Sequence, residues 1–206
     1  MAREWPVTLE AGTVMIRPLR RNDKKSWTEV QQRNRDWLSP WDASSPVAAV
    51  QLPNFGQMIR ILQQRARAGA VMPFAIMHQG APGSRSLAGQ LTVDSIIWGS
   101  ARTATAGYWV DQDLAGRNIV PTALALATDH CLTGMGLHRM EVNIRPENAP
   151  SLRVVEKLGF RYEGLRERYL HIDGAWSDHS SFALTSDELP PGGLIGRLRE
   201  QGMLAS

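Results

Sequence analysis

Between Tyr108 and Phe160 the chain reads strand, turn, helix, strand, turn, helix, in the segments GYWVDQDLAGRNIVPTALALATDHC and LHRMEVNIRPENAPSLRVVEKLGF. Such a tandem confines the fold to those with a parallel pair joined by a crossover helix. It also puts two helix starts beside each other. The first turn, Leu114 to Ile119, leads into a helix whose opening N–H groups have no intrahelical acceptor and can converge on an anion. The second places Asn148 and Ser151 in one helical turn. Side by side, the two suit a long ligand that carries phosphate at one end and amides along its length.

The rest of the chain is consistent with a layered α/β domain. Thr13 to Leu19 alternates as a strand and ends at Pro18. Asn22-Asp23 reads as an N-cap for a helix ending near Leu38-Ser39-Pro40, and a second helix is expected from Phe55 to Ala68, closed by Gly69. Val71–Met77 and Ser86–Trp98 are strands around the turn Gly80-Ala81-Pro82-Gly83, and Thr105–Val110 continues the sheet. Helices follow at Ile119–Met135 and Asn148–Leu158, a strand at His138–Ile144, and a hairpin of Phe160–Ile172 and Trp176–Leu184 around Asp173-Gly174. The order predicts an α/β (α+β) sandwich on a mostly antiparallel sheet with one parallel crossover. One domain spans 1–190, and 191–206 forms a short peripheral C-terminal helix or tail.

At 206 residues, 43% of them hydrophobic, the chain can bury a real core. It has no apolar run of membrane-spanning length, no signal-peptide layout in MAREWPVTLEAGTV and a single cysteine, Cys131. A cytoplasmic location without a membrane partner is expected. A net charge of +3 with no nucleic-acid motif argues against DNA binding. The His, Cys and carboxylate positions lack metal-ligand spacing, so no metal is expected. Cys131, mid-helix among apolar residues, reads as core.

No Gly-Lys-Ser/Thr follows Gly116, and the G-x-G-x-x-G spacing is missing, so the first turn is neither a P-loop nor a dinucleotide fingerprint. The turn resembles the acyl-CoA loop of the Gcn5-related N-acetyltransferases, Gln/Arg-x-x-Gly-x-Gly/Ala, with Asp113 and Asn118 as departures. The string Arg145-Pro146-Glu147-Asn148-Ala149-Pro150-Ser151, then Glu156-Lys157-Leu158-Gly159-Phe160, is similar to that superfamily's N-x-x-S helix start and K-x-G-F ending. Tyr169 to His179 and Asn34 to Trp41 resemble the Rim-type ribosomal-protein alanine N-terminal acetyltransferases.

The resemblance implies a three-layer fold with a mixed sheet of about seven strands, splayed at a parallel pair to admit acetyl-CoA. It implies a cofactor site of Trp109, Val110, Asp111, Gly116, Arg117, Asn118, Ile119, Val120, Asn148, Ser151 and Lys157. The Val110 N–H would polarise the thioester carbonyl. Asn148 would meet the pantetheine arm, and Ser151 would protonate the departing thiolate, because the family's tyrosine position is Val155 here. Glu141 is the expected general base. Asn143 shares its strand face, and His179, Trp37, Trp41 and Tyr108 are expected around the acceptor.

A free α-amine titrates near 7.8 and lysine near 10.4, so on the order of 10% of N-termini are neutral at pH 7 and far fewer lysines. A weak base suffices for an N-terminal acceptor. The reading is therefore acetyl transfer by direct attack in a ternary complex onto the N-terminus of a protein, a ribosomal one foremost, by a monomer or homodimer. Acetylation of a small amine, and a non-catalytic acyl-CoA sensor, stand as alternatives.

Overall fold

The computed structural model describes residues 5–47, 53–81 and 83–204, which leaves Pro82 of the expected turn and part of the N-terminal segment outside it. Its centre is an eight-stranded sheet. The strands are β1 (Leu9–Ala11), β2 (Val14–Pro18), β3 (Met72–Ala81), β4 (Ser84–Ile97), β5 (Thr103–Val110), β6 (Arg139–Ile144), β7 (Arg161–Ile172) and β8 (Ala175–Thr185). They lie in the order β1-β2-β3-β4-β5-β6-β8-β7, with β5–β6 parallel and every other pair antiparallel. The strand beyond the seven expected is β1, three residues paired to β2 across a turn where Gly12 holds φ +55°. Three residues are too few to display a period of two.

The helices are α1 (Lys24–Arg33), α2 (Arg35–Leu38), α3 (Phe55–Arg67), α4 (Ile119–Asp129), α5 (Ala149–Leu158) and α6 (Gly193–Glu200). Alternation along the strands builds two cores. Phe74, Ile76, Leu91 and Val93 join Ala123, Leu124 and Ala127 of α4 on one face. Leu19, Ala75 and Leu87 join Val30, Phe55 and Ile59 of α1 and α3 on the other. Among the described residues no helix is long and apolar enough to cross a membrane.

Three expectations change. Asp23 does not cap α1 with its side chain. Its carboxylate turns back to accept two bonds from the Arg17 guanidinium, at 2.9 and 2.7 Å, and one from the Arg20 N–H at 2.8 Å. A paired charge-assisted fork outbids a single helix N–H. The expected helix to Leu38 breaks at Asn34, which leaves helical geometry at φ −103°, ψ 13° and gives its side-chain amide to Val30 O and Asp111 Oδ1.

The third change concerns the C-terminus. The α6 helix is not a peripheral tail, because Leu194 and Leu198 are completely buried against the α4 face. Asp129, the last residue of α4, accepts the Leu194 and Ile195 N–H groups at 2.8 and 3.1 Å and so satisfies the start of α6. Proline and glycine at 190–193 hid this helix's long-range partner.

Candidate active site

The parallel pair β5–β6 is hydrogen-bonded only from Thr103↔Arg139 to Thr105↔Glu141. Beyond that rung β5 follows β4 up to Gly89↔Val110, while β6 follows β8 up to Ile144↔Ser180, and a wedge opens between them. The cause lies in β4. A register shift opposite Ile76 and Met77 leaves Ala88 as the extra residue of a bulge, and bulges bend and twist a strand. Next to it, Gly89 lets the Trp109 carbonyl come to 2.2 Å from where a β-carbon would stand. The Asp111 N–H is given to Ala88 O on β4 at 2.8 Å. Strand alternation therefore turns the Val110 N–H the other way, into the wedge.

A cavity of about 420 Å³ fills the wedge. One end is the Gly116–Val120 turn, where Gly116 has φ +80° and Asn118 adopts left-handed geometry at φ 57°, ψ 15°. Asparagine tolerates that region better than most residues, so this departure from a small residue keeps the turn. No side chain caps α4, and the first amides of the helix, those of Ile119 and Val120, have no intrahelical acceptor. Lys157, at the C-terminal end of α5, reaches over to donate from Nζ to Asn118 Oδ1 at 2.9 Å. The turn thus gathers unpaired N–H dipoles and one ammonium, and Arg153 lies along the same cavity.

The second helix start borders the middle of the cavity. Asn148 caps α5 by accepting the Ser151 N–H at 3.1 Å through Oδ1, which leaves its NH2 group for a ligand. Ser151 lines the cavity, and no partner of its hydroxyl is found among the described residues. Tyr108 enters from β5 with its hydroxyl 3.5 Å from Ser151 O, and burial pushes its phenol above the usual range. At the other end Trp37 and Trp41 form the mouth, with the Arg145 guanidinium 5.7 Å from the Trp41 ring centroid. Trp109 borders the cavity too, while its ring packs edge-on against Trp27, 6.1 Å between centroids.

Five expected site residues do not line the cavity. The buried Asp111 carboxylate is paired with Arg33 and Asn34 and ties the end of β5 to α1, so it is structural. Arg117 is exposed, facing away, where it helps burial depress the pKa of His78. Glu141 lies at the last paired rung below the opening, held by Arg139 at 2.7 Å and Arg166 at 3.2 Å. Asn143 accepts the Ser181 hydroxyl at 2.7 Å. His179 is buried with Nδ1 3.0 Å from Ser177 O, edge-on to Tyr169, and burial lowers its pKa. Cys131 is core as expected, its thiol pushed up to about 12 by burial.

Sequence reasoning missed Gln90 and Thr92, polar positions alternating with Leu91 and Val93 on β4, and Asp42, which follows Trp41 at the mouth. The Q-x-T alternation was a usable signal. Asp42 offered none beyond its neighbour.

The residues present fit a CoA-type ligand. The cavity offers amides and a lysine for phosphate, an asparagine amide for an amide arm, and an apolar wall of Leu114, Ile119, Pro121 and Val154. Comparison with known proteins agrees. The family profile described as Acetyltransferase (GNAT) domain matches residues 13–161. A [Ribosomal protein uS5]-alanine N-acetyltransferase of Escherichia coli (strain K12) is 25% identical over 186 residues, 90% of this chain and 94% of the relative. The Probable N-acetyltransferase YjcK of Bacillus subtilis (strain 168) is 28% identical over 180 residues, covering 87% and 98%. The structure of Mycobacterium smegmatis RimJ in complex with CoA-disulfide superposes with a TM-score of 0.87 at 36% identity, covering 97% of this chain and 96% of that one.

Proposed function

The chain belongs to the GNAT acetyltransferases and uses acetyl-CoA, and from that premise we propose that it acetylates the N-terminal α-amine of a protein, a ribosomal protein foremost. One observation carries this reading: the cradle at Gly116–Val120 and the aromatic mouth at Trp37 and Trp41 share one cavity that, among the described residues, no histidine or glutamate lines, its one carboxylate being that of Asp42. A site without a strong base favours an amine that is already partly neutral near pH 7, which an N-terminus is and a lysine is not. The name of the Escherichia coli relative, which places its activity on an alanine of ribosomal protein uS5, supports the same choice of acceptor.

Acetyl-CoA supplies the activated acetyl thioester. The amides from Gly116 to Val120 and the Lys157 ammonium bind the diphosphate. The Asn148 amide orients the pantetheine arm. The Val110 N–H, directed into the wedge, donates to the thioester oxygen as charge develops there. Ser151 gives its hydroxyl proton to the departing sulfur and regains one from the nitrogen, so the hydroxyl is unchanged after a turnover. Tyr108, whose burial keeps it protonated, closes the wall beside Ser151 and excludes water.

Incubation with acetyl-CoA and a mixture of ribosomal proteins, followed by peptide mass spectrometry, should show one acetyl group on an N-terminal peptide. Acetylation confined to lysine side chains, or to added small amines, would overturn the reading. In the same assay Ser151→Ala should lower kcat about a hundredfold with CoA affinity unchanged. Full activity in that variant would move the proton-donor role elsewhere.

A further inference from the structure

The carboxylate of Asp42 is the only one among the residues that line the active-site cavity, and nothing described in the structure is paired with it. It directly follows Trp41, so it stands at the mouth where an acceptor must enter. The backbone around it is firmly held. Asp42 donates its N–H to Ser39 O at 3.3 Å, and its carbonyl accepts the Asp173 N–H at 3.1 Å. Ala43 bridges to Ile172, and the Ser44 hydroxyl accepts the Gly174 N–H at 2.9 Å and bonds the His171 ring at 2.9 Å. The loop from α2 is therefore strapped to the tip of the β7–β8 hairpin, and the Asp42 side chain is presented from a fixed base.

The charges around it leave a place for a cation. Asp173 is a second carboxylate beside the first. Arg145, whose guanidinium lies over the neighbouring Trp41 ring, is engaged elsewhere: it donates to Pro40 O at 2.9 Å and pairs with Glu147 at 3.3 Å. Desolvation at the mouth, and then Asp173, raise the Asp42 pKa although the residue itself is exposed. Two neighbouring carboxylates with no counter-ion gain from any ammonium placed between them and the aromatic wall.

We propose that Asp42 receives the α-ammonium group of the acceptor and makes a free N-terminus the preferred ligand of the mouth. The inference rests on the N-terminal reading above and adds the residue that would recognise the amine. Trp37 and Trp41 provide the apolar walls for the first side chain, and the carboxylate sets the position of the nitrogen before it meets the cavity.

Calorimetric titration of the CoA-saturated chain with two peptides of one sequence tests this. One peptide begins with a free alanine, and the other is already N-acetylated. Wild type should bind the free amine about tenfold more tightly, the size expected of one charge-assisted contact. Asp42→Asn should bind the two peptides alike, and Asp42→Glu should keep part of the preference. The Asp42 side chain makes no hydrogen bond in the structure, so CoA affinity should be unaltered in both variants. A preference retained in Asp42→Asn, or CoA affinity lost in it, overturns the assignment while leaving the N-terminal reading in place. A wild-type chain that binds neither peptide overturns that reading and this assignment with it.

Discussion

Replacing Lys157 by glutamate is expected to weaken CoA binding about a hundredfold while the chain still folds. A charge-assisted hydrogen bond contributes about 1.5–3 kcal/mol, and reversing the charge beside a diphosphate adds repulsion to that loss. Lys157 occupies the last turn of α5, where its charge is compatible with the helix dipole, and it is partly exposed. Among the described residues its side chain bonds only Asn118 Oδ1, so the folded chain loses little without it. Calorimetric titration with CoA at two salt concentrations measures the effect. Lys157→Met should fall between wild type and Lys157→Glu. An unchanged affinity in Lys157→Glu would remove the lysine from the phosphate site and leave the amides of Gly116 to Val120 and the Arg153 guanidinium to hold it.

Gly89→Ala should lower stability by about 3 kcal/mol, because overpacking against backbone offers no rotamer to relieve it. The added carbon would stand 2.2 Å from the Trp109 carbonyl oxygen and 3.0 Å from the Val110 α-carbon. Either β4 or β5 must move, and both border the wedge. For a chain of this size that loss corresponds to a fall in melting temperature of about 6–12 °C. CoA affinity should drop as well, since the displaced residue is the one whose N–H faces the cleft. Gly107→Ala is the control: nothing lies within 4 Å of its would-be β-carbon, and its stability should stay within about 0.5 kcal/mol of wild type. Equal melting temperatures for all three chains would mean that the close approach of β5 to β4 does not depend on the missing side chain of Gly89.

Much of the cofactor side was legible in the sequence because each device is local. A glycine and an asparagine able to take positive φ, followed at once by an apolar helix, specify a turn of unpaired amides regardless of what surrounds it. The Asn148–Ser151 capping bond spans three residues and needs no tertiary partner. Lys157 was placed by likeness, and its reach to Asn118 follows from α4 and α5 lying side by side. Arg117 illustrates the opposite case. It sits between Gly116 and Asn118 in sequence, yet the left-handed turn that frees the amides sends its side chain outward.

The acceptor side was legible only in part. Glu141 and Asn143 do share a strand face, as a period of two requires, but the face alone does not say how far along β6 the sheet opens. The last β5–β6 rung falls at Glu141, so the carboxylate meets arginines of β6 and β7 below the cleft. Asp111 misled for a similar reason. Adjacent to Val110 in sequence, it points to the other side of the strand, where Arg33 and Asn34 wait at the end of α1.

From its own residues the chain determined an α/β sheet with a parallel pair, two neighbouring helix starts, and the donors and acceptors each start leaves free, since backbone amides and caps depend on neighbours within a turn or two. The tertiary structure decided where the pair splays, through a bulge at Ala88 and the missing side chain of Gly89. It also decided that α6 belongs to the core and that Asp42, strapped to a distant hairpin, is the carboxylate at the mouth. Those outcomes depend on register and on contacts between elements far apart in the chain, and no local pattern encodes them.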